Sequence, residues 1–129
     1  MSIKSNVRAK LLASPPVVAL VGTKIFSGNV SQGSIPFILM NVKNTDFIHF
    51  DRGTDLTKQC RIQFDCVSNS SDQAELIGDA LIAALNNSTG NQSSNKIQES
   101  RVTNRLDDDW SADVGLFRHI VDFQISYTD

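Results

Sequence analysis

The chain has little cysteine: Cys60 and Cys66 are the two in 129 residues. If both lie on one strand, six residues separate them by roughly 20 Å. A disulfide needs Cα atoms within about 7 Å, so no internal bridge is expected, and the thiols read as small core hydrophobes made in a reducing cytoplasm. Apolar runs are short. None approaches the roughly 18 residues that a membrane span needs, and the N-terminal residues have charges without an apolar core or cleavage pattern, so no secretory leader is expected. An excess of charge of one sign is also missing, with 12 Lys and Arg against 14 Asp and Glu, a net −2. A dedicated nucleic-acid binder would carry a basic surplus. The loose group Lys4, Arg8 and Lys10 reads as a solvated helix face.

Several chemical signatures are absent as well. The glycines between Gly22 and Gly33 form neither Gly-x-x-x-x-Gly-Lys nor Gly-x-Gly-x-x-Gly, so no phosphate loop is expected. No Cys/His pair has metal-ligand spacing, and no serine or cysteine sits in a nucleophile-elbow context. Asp107, Asp108 and Asp109, with Asp113, could hold a divalent ion, although a solvated acidic loop is the simpler reading. His49, Asp51 and His119 could make a small general-base site; hydrogen-bonded structural histidines are the alternative. Trp110, beside the three aspartates, could anchor a partner or cover the end of a sheet.

What is present is pattern. The chain is 40% apolar and short enough for one domain, residues 1 to 129. From Thr57 to Val67, Cys60, Ile62, Phe64 and Cys66 alternate with Gln59, Arg61, Gln63 and Asp65. This is the period of a strand with one buried face. Asp72 as N-cap and Glu75 at N3 open a helix, on which Leu76, Ile77, Ala80, Leu81, Ala84 and Leu85 make a stripe.

Upstream, Ser2 to Ala13 reads as a helix, and Ser14-Pro15-Pro16 breaks it and starts a second short turn closed by Gly22. Lys24 to Phe26 is extended, and residues 27 to 34 are a loop. Ile35 to Met40 is apolar on both faces, with Pro36 confined to the strand's first residues. Its strand continues to Phe50 with a bulge or bend near Asn44 to Asp46. A turn at Asp51 to Thr54 makes residues 36 to 67 one hairpin.

Downstream, residues 86 to 96 contain a polar, mobile loop. Ile97 to Leu106 reads as a charged edge strand with Ser100, Val102, Asn104 and Leu106 on one face. An acidic loop follows at 107 to 115. The clean alternation of Phe117, His119, Val121, Phe123, Ile125 and Tyr127 marks a central strand. The expected fold is α+β: an antiparallel or mixed sheet of about four strands, with two main helices on one face.

The order of these pieces resembles the phage tail-completion family. The resemblance rests on Leu11-Leu-Ala-Ser-Pro-Pro-Val-Val-Ala-Leu-Val-Gly22, then Lys24-Ile-Phe26, then Ile35-Pro-Phe-Ile38. It continues through Asp51-Arg-Gly53, Cys60-Arg-Ile-Gln-Phe-Asp-Cys66 and Ala74-Glu-Leu-Ile-Gly-Asp-Ala-Leu81. It covers about residues 8 to 87 and, more loosely, the last two strands. The resemblance implies a structural virion protein made in the host cytoplasm, without enzymatic activity or cofactor. Such a protein caps the tail tube, stops its polymerisation and joins it to the head connector as a homo-oligomeric ring, usually of six subunits. DNA only passes through the channel.

A closed ring needs two different patches on each subunit. Ile35, Phe37 and Ile38 are candidates for one, and Arg101 and Arg105 on the edge strand for the other, with Arg61 and Trp110 as further contacts. A slightly acidic surface suits a channel through which DNA slides. A head-side adaptor of the neck remains an alternative, as does a small enzyme using His49, Asp51 and His119.

Overall fold

Four long segments become strands, and period-two alternation is cleanest in two of them, Thr57 to Val67 and Phe117 to Tyr127. The computed structural model describes residues 3–27, 35–49, 56–86, 90–91, 96–111 and 116–128. The elements are α1 (Ile3–Leu12), α2 (Pro15–Val21), β1 (Ile25–Ser27), β2 (Phe37–His49), β3 (Leu56–Ser68), α3 (Ser71–Leu85), β4 (Gly90–Asn91), β5 (Lys96–Ser111) and β6 (Leu116–Thr128). The sheet order is β1-β2-β3-β6-β5-β4. β1 runs parallel to β2 and the other pairs are antiparallel, so the sheet is mixed. Among the described residues it has six strands rather than about four, because the three-residue β1 and two-residue β4 add short edges. The cleanest alternators, β3 and β6, are the two central strands, which are flanked on both sides by paired neighbours.

The three helices lie on one face. Cys60, Ile62, Phe64 and Cys66 of β3 and Val121, Phe123 and Ile125 of β6 are buried against Ile77, Leu81 and Leu85 of α3. α1 contributes Ile3, Val7 and Leu11 to the same core, and α2 contributes Val17 and Val21. Phe64 and Phe123 meet edge to face, with centroids 5.7 Å apart and an interplanar angle of 90°. α2 stops at Gly22, whose φ of 64° is a conformation that glycine adopts without the Cβ penalty. The Arg8 side chain donates to the Ile25 carbonyl at 3.0 Å, tying α1 to β1.

Four expectations shift in detail. The α3 N-cap is Ser70, whose hydroxyl accepts from the Gln73 backbone N–H at 3.4 Å; Asp72 instead sits in the first turn, where a carboxylate favours the helix dipole. The buried stripe is Ala74, Ile77, Gly78, Leu81 and Leu85, leaving Leu76 55% exposed. Both stripes have helical spacing, and the contact of Gly78 with His119 described below selects one. The β2 bulge falls between Val42 and Asn44, slightly earlier than expected.

The largest shift is in β5, which runs through 107 to 111 where an acidic loop was expected. Register shifts interrupt it between Ile97 and Glu99, Val102 and Asn104, and Asp108 and Ser111. The second shift reverses the strand's facing. Ser100 and Val102 stay on the helix side, but Leu106 moves to the opposite face and Arg105 replaces it, opposite Val121. The Val102 N–H at this bulge donates to Asn86 Oδ1 at 3.0 Å, so a donor displaced from the ladder is satisfied by the end of α3. The expected loop at 27 to 34 (from residue 28), the turn at 51 to 54, and most of the polar segment 86 to 96 lie outside the described residues.

Candidate assembly surface

The three residues of the possible catalytic site are not brought together. His119 pairs in register with Cys66 and His49 with Leu56. These β3 positions are ten residues apart, or roughly 33 Å along the strand. Asp51 lies outside the described residues. His119 has a structural setting: it is buried, its ring abuts Gly78 on α3, and its Nε2 accepts from Arg105 Nε at 3.1 Å. Arg105 also reaches Asp79 of α3 at 2.8 Å. Arg105 therefore clamps β5 and β6 to α3 on the helix side, a different job from the outward contact expected of an edge-strand arginine. No cluster that could hold a metal ion occurs among the described residues. The side chains of Asp107 to Asp109 and of Trp110 lie outside the description, although their backbone is part of β5.

The face of the sheet away from the helices has a pattern that emerges only from the strand registers. Its rows can be read across the strands. One row is Phe26, Leu39, Asp65, Ile120 and Leu106; a neighbouring one contains Phe37, Val67 and Arg118. Two rows further down, Arg61, Gln124 and Arg101 stand side by side. One end of this face is thus apolar and the other polar. Phe26 and Phe37 touch edge to face at 6.1 Å, and Leu106 is 44% exposed.

Of the residues expected at a subunit patch, Ile35 is half-buried just ahead of β2 and Phe37 belongs to this outer face. Ile38 is directed into the core with no exposed surface, so it has no surface to offer a neighbour. Arg61 and Arg101 lie on the outer face. From Gln59 to Asp65 the outward positions of β3 are all polar. Leu39, Val67 and Ile120, from three strands, form its apolar end; each breaks the apolar–polar alternation of its own strand, which was the available signal.

The charges on this face are layered. Asp65 and Asp122 are buried, and each is held by an arginine, Arg118 and Arg61 respectively, at 3.6 Å. Gln63 donates to Asp65 at 3.0 Å, Arg101 to Gln124 at 3.1 Å, and Gln124 to Gln59 at 3.3 Å. The Asp122 side chain is 9% exposed and that of Arg61 56%. The carboxylates therefore lie beneath their guanidinium partners, so the described side chains present positive charge outward at the polar end.

The two thiols are chemically quiet. Both cysteines are free and buried. Burial pushes the Cys60 thiol from 9.0 up to about 12. Burial, reinforced by the negative charge of neighbouring Asp65, raises Cys66 as well. A raised thiol pKa means that the folded state holds its proton where the unfolded chain releases it. The associated stability is complete below about pH 9 and is lost as pH rises toward 12 for Cys60. Urea midpoints are expected to fall across this window, and less so in Cys60→Val. At pH 8, iodoacetamide is expected to label the unfolded chain rapidly and the native chain only through opening. Equal labelling rates would contradict the burial of both thiols.

Comparison with known proteins places this arrangement in context. A family model described as tail completion protein gp17 matches residues 5–128. Among solved structures, the chain is similar to a chain of the virion of a native gene transfer agent particle, with 14% sequence identity and a TM-score of 0.75. That match covers 99% of this chain and 96% of the other. At this identity, the likeness is one of fold. No curated protein matches the sequence.

Proposed function

The chain belongs to the tail completion protein gp17 family, and on that premise we propose that it is the virion protein that ends the tail. In this reading it sits at the head–tail junction, caps the tail tube, stops its polymerisation and forms the joint to the head connector. It acts as a homo-oligomeric ring, of six subunits, with the tail tube protein on one side and the connector on the other, and DNA passes through the channel. The observation that carries the reading is the reach of the family match, residues 5–128, which takes in all of the helices and strands apart from the start of α1. The fold is compatible with it. A ring needs two different patches per subunit, and this subunit has a helix face and a sheet face of different character.

The test is a nonsense mutation in the gene, with electron microscopy of the lysate and complementation from a plasmid. Heads separate from tails, and tails of irregular length, are the expected result. Tails of normal length joined to heads in the absence of the protein would overturn the reading. Tails of normal length that are merely unjoined would identify a head-side adaptor of the neck instead.

A further inference from the structure

We infer that subunits join through their helix layers, with Lys4 and Arg8 on α1 of one copy seated against Asp72, Glu75 and Leu76 on α3 of the next. This inference deepens the ring reading above and rests on it. Charge is segregated along the chain. Residues 1 to 45 contain five lysines and arginines and no aspartate or glutamate, whereas residues 46 to 129 contain seven against 14.

The fold sends the two sets to opposite edges of the helix layer. Arg8 Nε donates to the Ile25 carbonyl of β1, and β1 is the terminal strand on that side. Lys4 lies one turn from Arg8 on the same side of α1, and both are exposed. α3 belongs to the other half of the sheet, where Gly78 abuts His119 of β6 and Asp79 reaches Arg105 of β5. Asp72, Glu75, Leu76 and Asp79 recur at the three- and four-residue spacing of one helix stripe, so the Asp79 contact directs that stripe toward β5.

The charges left over are complementary. Arg61, Arg105 and Arg118 each face a carboxylate of their own subunit, on Asp122, Asp79 and Asp65 respectively. Among the described residues, Lys4, Arg8, Asp72 and Glu75 have no such ion pair. Asp79 and Arg105 cancel, so two carboxylates remain on α3 and two cations on α1. The elements around α1, namely α2, β1 and β2 as far as Lys43, contain no acidic residue to neutralise them. Lys4 also stands in the first turn of α1, where a cation opposes the helix dipole, so its own helix is not stabilised by it. Leu76, 55% exposed, sits among the carboxylates, and the aliphatic stems of a lysine and an arginine are suited to cover it.

The spacing agrees. Lys4 and Arg8 are about 6 Å apart along α1, and Asp72 and Glu75 about 4.5 Å apart along α3; the difference is within the reach of a lysine side chain. Because the two stripes point away from each other, they meet only between copies. The contact is heterologous, the type that propagates and closes into a ring.

Lys4→Glu, Asp72→Lys and Glu75→Lys change exposed charges, and urea midpoints close to wild type are expected for all three. Each is expected to weaken self-association by about tenfold or more through like-charge contact, measured by analytical ultracentrifugation of the full-length protein. Lys4→Glu is then combined in turn with Asp72→Lys and with Glu75→Lys. One combination should restore most of the loss, and the one that does so gives the relative direction of the two helices. A multimer that forms normally and is indifferent to all three reversals overturns the interface and leaves the ring reading intact. Losses that neither combination repairs show that these charges do not meet, and overturn it as well. Variants that form wild-type rings but fail to cap purified tail tubes would assign the stripes to the tube protein, with the same consequence. Wild-type protein that remains monomeric even on tubes removes the ring reading and this interface together.

Discussion

Replacing Phe64 by alanine is expected to destabilise the subunit by about 3–5 kcal/mol, the range for truncating a fully buried phenylalanine. Phe64 has no exposed surface, lies on the central strand β3 and packs edge to face on Phe123 of the other central strand. The substitution removes the burial of the ring, the aromatic pair and contacts with the helix layer, and regular strands on both sides limit collapse into the void. A domain of this size is stable by roughly 5–15 kcal/mol in total, so the urea midpoint should move far enough to make the protein marginal. Leu76→Ala is the matched control. That leucine is largely exposed, and its loss should change the subunit's own stability by only about 0.5 kcal/mol. Similar midpoint shifts for the two variants would show that α3 does not present the face described.

Gly78→Ala should also destabilise, although alanine is the better helix former by about 1 kcal/mol. A Cβ at this position would stand 2.5 Å from His119 Cδ2 and 3.1 Å from its Nε2. The imidazole has little room to withdraw, because it is buried on β6 and accepts from Arg105. Overpacking of this kind costs about 1–3 kcal/mol, which exceeds the propensity gain over most of its range. Any relaxation that moves His119 also breaks the bond linking Arg105 to β6. A double-mutant cycle isolates the effect. In a His119→Ala background the same Gly78→Ala change should be neutral or stabilising, giving a coupling of about 1 kcal/mol or more. Additive effects would place the cost of Gly78→Ala elsewhere than in this contact.

The part of the fold carried by local periodicity was legible in the residues. The hairpin of β2 and β3, the helical span of α3, the proline-started α2 with its glycine stop and the central place of β6 all follow from a two- or 3.6-residue repeat with plain punctuation. Such signals fail where a repeat is ambiguous or interrupted. In α3, two stripes that share Ile77, Leu81 and Leu85 fit the same spacing, and the fold buries Ala74 and Gly78 rather than Leu76, with Gly78 close against His119. In β5, a bulge after Val102 exchanges the two faces, so Arg105 becomes a clamp against α3 while Leu106 is left outside. A strand pattern read without its bulges assigns every later residue to the wrong face.

The candidate assembly surface was less legible for a related reason. No single strand contains it. Phe26, Leu39, Ile120 and Leu106 are far apart in sequence, and each looks like a minor departure from its own strand's alternation. They become one row only when β1, β2, β3, β6 and β5 are laid in register. The depth of Asp65 and Asp122 below their arginines is likewise a product of packing. By itself the sequence determined the class of fold, the inward faces of β3 and β6 and the family, because these rest on spacing along the chain. The tertiary structure alone decided which side chains meet across the sheet, which carboxylates are buried and which leucines remain in solvent, because these depend on register between strands that the chain brings together from a distance.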